Sequence, residues 1–354
     1  MNEEAPPVLK ASVHDVRHFT SLLRGVNFAN RATVTITGRG LVVIVEEART
    51  LLGTAYVFAD VFDEYEYHPE DQEGQSAHNK EDEEVLEEDP DEQKATAFEL
   101  PLNTLIECLN IFGTAGGSGD ESGDEADGNG RRRRQGANGG SLDQFFGRSD
   151  KRTSMRMTYM GTGYPLTLLI AEDASGPTTT CEIATFEAEP HLELPFDSEN
   201  MKLKIILKSS WLKEALSEID SSCDKLSFFG YPPENTNVEG MTTKQKQKAN
   251  MKSPIFRIQA EGTFGTTEME YYNDRDVLET FECPSPVSFS YRFSHITRAM
   301  RALQTSVKAS LRIDQEGLLS LQFLMPTQST RKHGAVTGKT NFIEFRCLAL
   351  DDEV

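Results

Sequence analysis

With three polar stretches set aside, the chain reads as one order of elements written twice: a strand, a helix, several strands, a second helix, then further strands. A duplicated half-unit restricts the fold more than any single motif, because each copy must close its own core and still leaves outermost strands with open edges. In the first copy, residues 8–11 read as a strand and 13–26 as a helix. Apolar and polar residues alternating over 32–37 and an apolar, mostly β-branched run over 41–45 predict two strands, joined as a hairpin through Gly38, Arg39 and Gly40. Strands over 54–58, 62–67 and 98–100 follow, then a helix over 102–112 ended by Gly113, then strands over 155–160, 166–171 and 178–186. In the second copy, a strand over 201–207 leads into a helix over 210–219 with Ser209 as its N-cap. Strands over 226–229, 255–260, 266–272, 277–283 and 287–293, a helix over 295–305, and strands over 309–313, 318–325 and 342–348 complete it.

The expected fold class is therefore α+β. Two pseudo-repeated domains, 1–186 and 201–354, each carry two helices packed on antiparallel sheets, with 187–200 as the connector. A length of 354 residues suits two such domains.

The three polar stretches hold much of the charge. The chain carries 57 Asp and Glu against 36 Lys and Arg, a net charge of −21. Residues 68–95 contribute twelve acids against Lys80 and Lys94, too few apolar groups to order themselves. Residues 114–150 are rich in Gly, Ser and Asp and include Arg131, Arg132, Arg133 and Arg134. Residues 230–253 hold Lys244, Lys246, Lys248 and Lys252. The four arginines, with Lys151 and Arg152 beyond them, fit a nuclear import signal or a linker that balances nearby acid. Within 141–146, Leu142, Phe145 and Phe146 fall on one side of a helical turn, as a docking peptide or as a local anchor.

Each expected helix has an apolar stripe and a polar face. Val16, Phe19, Leu23 and Val26 oppose Arg17, Ser21 and Arg24, and Ile296, Met300 and Leu303 oppose Arg298, Arg301 and Thr305. Neither of these polar faces includes an acid, so in a chain of net charge −21 they form a local positive strip suited to a polyanion. Lys213 flanks the third helix, while Glu107 and Glu214 lie on the polar faces of the second and third.

Catalytic signatures are sparse. Cys108, Cys181, Cys223, Cys283 and Cys347 are far apart, without a Cys-x-x-Cys pair, and read as reduced core residues of an intracellular protein. The seven histidines show no metal-ligand spacing, so no metal or cofactor is expected. Asp63, Glu64 and Glu66 form an acidic strand end rather than a converging two-metal site. No run approaches the ~20 apolar residues of a membrane span, and the acidic start Met1-Asn2-Glu3-Glu4 lacks the apolar core of a secretory signal.

Five stretches carry a resemblance: NFANRATVTIT at 27–37, GLVVIVEEAR at 40–49, LNTLIECLNIFG at 102–113, GYPLTLLI at 163–170 and WLKEALSEID at 211–220. In this order they resemble the PCNA-like sliding clamps, and most closely the "one" subunit of the heterotrimeric nine-one-one checkpoint clamp. The resemblance implies a subunit that joins two other clamp subunits in a ring around duplex DNA, placed there by a clamp loader in the nucleus. It implies a platform for DNA-damage signalling and repair factors rather than an enzyme, although the family is also linked to 3′–5′ exonuclease activity. A homotrimeric replication clamp is the other alternative. In clamps of this type the joining strands are the last of the first half and the fourth of the second. Here those carry Thr178, Cys181, Ile183 and Phe186, and Thr266, Met269 and Tyr271. The same resemblance turns Arg17, Arg24, Lys213, Arg298 and Arg301 toward the encircled duplex.

Overall fold

Period-two burial builds most of the molecule. In the computed structural model, which describes residues 6–70, 95–113, 152–172, 176–233, 253–326 and 341–351, strand β1 (Leu9–Val13) buries Leu9, Ala11 and Val13 and leaves Lys10 and Ser12 half-exposed. Helix α1 (Val16–Gly25) starts later than the sequence pattern predicts. Val13 is held in β1 opposite Met155, and the Asp15 carboxylate caps the helix by accepting from the Arg17 N–H at 3.0 Å. The hairpin through Gly38 and Arg39 joins β2 (Arg31–Thr37) to β3 (Gly40–Glu47). At Gly40, φ is +141° and a Cβ would lie 2.2 Å from the Val57 carbonyl oxygen, so only glycine fits. β4 (Leu51–Phe58), a 3₁₀ turn over Ala59–Val61 and β5 (Glu64–Tyr67) follow. β6 (Thr96–Pro101) runs into α2 (Leu102–Leu109), and β7 (Ser154–Tyr159), β8 (Leu166–Ala171) and β9 (Thr178–Ile183) come next.

Three local expectations are corrected here. The strand expected over 178–186 stops at Ile183, where β8 also begins; Phe186–Glu187 form a separate two-residue strand, β10, which pairs with β6 in another sheet. Ser209 is not the cap of α3 (Ser209–Ser217), which follows β11 (Met201–Lys208). Lys208 occupies the cap position, and the Ser209 hydroxyl instead lies 2.7 Å from that of Ser306. The helix expected over 295–305 is two short helices, α4 (Phe293–Arg298) and α5 (Met300–Thr305), because the Ala299 N–H turns tightly back to the Ile296 carbonyl at 3.1 Å. The remaining strands are β12 (Cys223–Gly230), β13 (Phe256–Gly262), β14 (Gly265–Tyr271), β15 (Leu278–Glu282), β16 (Val287–Arg292), β17 (Lys308–Asp314), β18 (Leu319–Leu324) and β19 (Phe342–Cys347).

Among the described residues these strands make three antiparallel sheets. One is ordered β5-β1-β7-β8-β9, one β14-β13-β12-β16, and a ten-stranded sheet runs β10-β6-β2-β3-β4-β19-β18-β17-β11-β15. Helices α1, α2 and α3 form a layer on the ten-stranded sheet: α2 touches β6, α1 touches β4 and β19, and α3 touches β11 and β17, while α4 touches β12 and β16 of the four-stranded sheet. α1 packs on α2 and α5, and α5 packs on α3, so the layer is continuous. At Gly25 of α1 a Cβ would come within 2.3 Å of Ile343 Cδ1, so the helix passes close over β19 there.

The other face of that sheet is covered by residues 192–197. Leu192, Leu194 and Phe196 pack on Ile44, Leu52 and Leu318. The segment is tied down by the Leu192 N–H donating to Glu46 at 2.8 Å and by Arg346 donating to the Leu194 carbonyl at 2.7 Å.

Candidate functional site

The arginines sit on the helix layer, where periodic burial of Val16, Phe19, Leu22 and Leu23 turns Arg17 and Arg24 outward on α1. Arg298 and Arg301 are exposed on α4 and α5, and α5 lies against α1, so both pairs belong to one strip. Arg301 spans the junction by donating to the Asn27 carbonyl at 2.9 Å, and Arg24 lies in the last turn of α1, where the helix dipole favours a cation.

The strip is less positive than the helix faces alone imply. Arg17 is chelated by Asp15, with Nη2 2.6 Å from Oδ2, and this pairing holds the Asp15 carboxyl below its usual range although burial opposes it. Arg298 Nε lies 3.0 Å from Glu47 Oε2. The expectation of a face without acid is corrected: Asp15, inside the helix expected over 13–26, instead caps α1 and turns back on Arg17, and Glu47 arrives from β3, so helical spacing assigns neither to this face. Lys213, exposed on α3, has no hydrogen-bond or ion-pair partner among the described residues. Glu107 and Glu214 are exposed on α2 and α3 as expected.

The strands singled out for subunit joining occupy two sheet margins. β9 has β8 as its one partner and β14 has β13, each at the end of its sheet among the described residues. On β9, Thr178 is exposed, Cys181 is half-buried beside Cys108, and Ile183 is only 2% exposed and belongs to the core. Phe186 is 60% exposed but lies on β10, away from that edge. On β14, Thr266 is exposed while Met269 and Tyr271 are partly buried at the open margin of the core. Burial, with the nearby charges of Glu214 and Glu218, pushes the Tyr271 phenol up to about 12.

The polar groups with catalytic potential have structural partners. Asp63 Oδ2 lies 2.5 Å from His14 Nδ1, and Glu66 bridges Lys10 at 3.4 Å. Cys347 Sγ lies 3.5 Å from His295 Nδ1 inside the core. Burial pushes that thiol up to about 12 and lowers the imidazole, so at neutral pH neither group is charged and no thiolate nucleophile forms. All five cysteines are free, with Cys223, Cys283 and Cys347 buried. Among the described residues, no group of three or more His, Cys, Asp or Glu side chains could hold a metal ion. The four arginines Arg131–134, the 141–146 peptide and the lysines at 244–252 lie outside the described residues.

A family model described as repair protein Rad1/Rec1/Rad17 matches residues 8–325. The cell cycle checkpoint protein RAD1 of Mus musculus is 29% identical over 346 residues, covering 98% of this chain and 93% of its own. The DNA damage checkpoint control protein rad1 of Schizosaccharomyces pombe is 28% identical over 336 residues, covering 95% and 84%. The DNA repair exonuclease REC1 of Mycosarcoma maydis is 28% identical over 445 residues, covering 97% and 96%. The chain thus belongs to the Rad1/Rec1/Rad17 family of repair proteins.

Proposed function

We propose that this chain is a subunit of a heterotrimeric checkpoint clamp that encircles duplex DNA and serves as a platform for DNA-damage signalling and repair factors. It works in the nucleus, joins two other clamp subunits and is placed on DNA by a clamp loader. Its halves, 1–186 and 201–354, act as two clamp domains linked through 187–200. The observation that carries this reading is the pairing of a continuous helix layer bearing Arg17, Arg24, Lys213, Arg298 and Arg301 with two open strand edges, β9 and β14. An open edge offers unpaired backbone groups to a neighbouring chain, and closure of a ring on DNA replaces tight binding by topology. The test is the mass of the native complex: one copy of this chain with one each of two other clamp subunits supports the reading, and a lone monomer rejects it.

The exonuclease reading is favoured by the name of the Mycosarcoma maydis relative. Magnesium-dependent release of nucleotides by the purified chain, absent from a heat-treated control, would support it. The clamp reading expects none.

For DNA, the expectation concerns salt. Removing one phosphate-binding cation flattens the slope of log affinity against log salt by about 1. The double variant Arg17→Glu/Arg298→Glu is expected to weaken the assembled ring's DNA association and flatten that slope by about 2, leaving assembly intact. Asp15→Asn keeps an acceptor for the Arg17 N–H while releasing the Arg17 charge, so it is expected to strengthen association at low salt. Unaltered association of both variants across a salt series would remove this strip from the DNA-binding surface.

A further inference from the structure

We propose that the cleft between α3 and β14 is a socket for a basic side chain of the neighbouring subunit, and that it selects which subunit may sit on the β14 edge. The inference rests on the ring reading and adds the chemistry of one joint.

The cleft has a volume of about 390 Å³ and is lined by Trp211, Glu270, Tyr271, Tyr272, Asp274 and Val277. Trp211 is 40% exposed and Tyr272 37%, an unusual amount of aromatic surface beside an unpaired strand. Tyr272 donates to Glu270 at 3.1 Å and holds that carboxylate at the rim. Glu214 of α3 and Glu218, the residue that ends it, stand close enough for their charges to act on Tyr271. A lysine or arginine entering here would meet aromatic faces and carboxylates together, the pairing that suits a desolvated cation.

Charge decides the occupant. Residues 211–218 and 265–277 hold six acids (Glu214, Glu218, Glu268, Glu270, Asp274, Asp276), with only Lys213 and Arg275 as bases. The β9 edge, expected to be the other joining edge, and its helix, 176–190 and 102–113, hold Glu107, Glu182, Glu187 and Glu189 and no base at all. A second copy of this chain joined head to tail would set acid against acid across the joint, and like charges there cost binding and suppress the wrong partner. The neighbour on β14 must therefore be a different chain, whose joining edge carries Lys or Arg. β14 supplies the second, independent half of the fit, since its unpaired backbone accepts a strand and fixes where that base arrives.

Trp211 is the one tryptophan of the chain, which makes the cleft directly observable. The full chain is labelled with 5-fluorotryptophan and titrated separately with each of the two other clamp subunits of the same species. The fluorine resonance is followed by NMR and affinity by sedimentation. The expected result is a resonance shift with one subunit only, and at least about tenfold weaker affinity for that subunit in Glu270→Lys/Asp274→Lys, with the other subunit unaffected. Trp211→Ala, which leaves the charges in place, is expected to weaken the same joint. A complex that forms with no resonance shift, or whose affinity is unchanged or raised by the charge reversal, overturns the socket while the ring reading stands. Failure to bind either subunit overturns the ring reading itself. In the isolated chain, Lys244→Ser/Lys246→Ser/Lys248→Ser/Lys252→Ser is expected to leave the resonance where it was. A shift there would mean that the chain's own lysines fill the cleft, which also overturns the proposal.

Discussion

Replacing Glu344 by alanine is expected to destabilise the protein by about 3–5 kcal/mol, the cost of leaving buried charges without their partner. Glu344 lies on β19, only 2% exposed, on the face of the ten-stranded sheet opposite the helices. Its Oε1 accepts from Ser320 at 2.7 Å and Arg312 at 3.2 Å, and its Oε2 accepts from Arg346 at 3.0 Å. Arg312 also lies 4.9 Å from the centre of the Phe196 ring, and Arg346 reaches the Leu194 carbonyl, so the same two guanidiniums clamp the covering segment. Without the carboxylate, the half-buried guanidiniums of Arg312 on β17 and Arg346 on β19, which flank Ser320 of β18, lose the negative charge they share. Denaturant unfolding at neutral pH measures the loss, and residues 192–197 should become sensitive to protease in the variant. A loss under about 1 kcal/mol would mean the knot is no stronger than a surface pair. The pH dependence has a definite sign. Burial alone would raise the Glu344 pKa, but the Ser320 hydrogen bond and the charges of Arg346 and Arg312 lower it below 4.5. A depressed carboxylate pKa contributes stability that is complete above the unfolded value and is lost as pH falls through the folded one. The gap between wild type and Glu344→Ala should therefore be widest at neutral pH and narrow below about pH 4.5.

The same knot marks what the sequence makes legible. Arg312, Ser320, Glu344 and Arg346 stand at the polar positions of alternating strands, and alternation assigns such positions to solvent. Ser320 and Glu344 are buried and the two arginines half-buried because Leu194 and Phe196 come from the connector to cover them, and no local pattern foretells that. Helical periodicity finds Arg298 but not its counter-ion, since Glu47 is 251 residues away in sequence. What alternation does deliver is the strands whose two faces differ. β2 appears as expected because Ala32, Val34 and Ile36 alternate with polar residues, and β3 follows the Gly38-Arg39 turn as an apolar, mostly β-branched run. Boundaries fail where competing partners decide them. Val13 goes to a sheet instead of to α1, Ser209 bonds Ser306 instead of capping α3, and the chain breaks between Ile183 and Phe186 to serve two sheets. For the candidate site, the outward arginines and the edge strands come from pattern and resemblance, whereas the Trp211 cleft depends on α3 meeting β14 and is invisible before folding.

Glu268→Pro is expected to leave the isolated chain folded and to weaken its association with the neighbour on β14 by at least about a hundredfold, roughly 3 kcal/mol. Hydrogen-bond parity decides which backbone groups of β14 face outward. β13 and β14 are joined by the two-residue turn Thr263-Phe264, with Gly262 opposite Gly265. A two-residue turn makes its flanking pair a hydrogen-bonded one, and such pairs alternate along an antiparallel ladder. Gly265, Thr267, Met269 and Tyr271 therefore bond inward to β13, while Thr266, Glu268 and Glu270 point their N–H and C=O groups to the open side. Proline at 268 removes one of the outward donors in the middle of the edge and places its ring where an added strand must lie. It breaks no bond to β13, and its fixed φ is tolerated on an edge strand. The other loss in the chain itself is the 3.6 Å pair between Glu268 and Arg257, exposed enough to contribute at most about 1 kcal/mol. Thr267→Pro is the counter-variant: it removes an inward bond and should lower the melting temperature of the isolated chain, which Glu268→Pro should not. If the neighbour binds Glu268→Pro as tightly as wild type, the joint at β14 is not made by strand addition, and the contact must then run through side chains such as those of the Trp211 cleft alone.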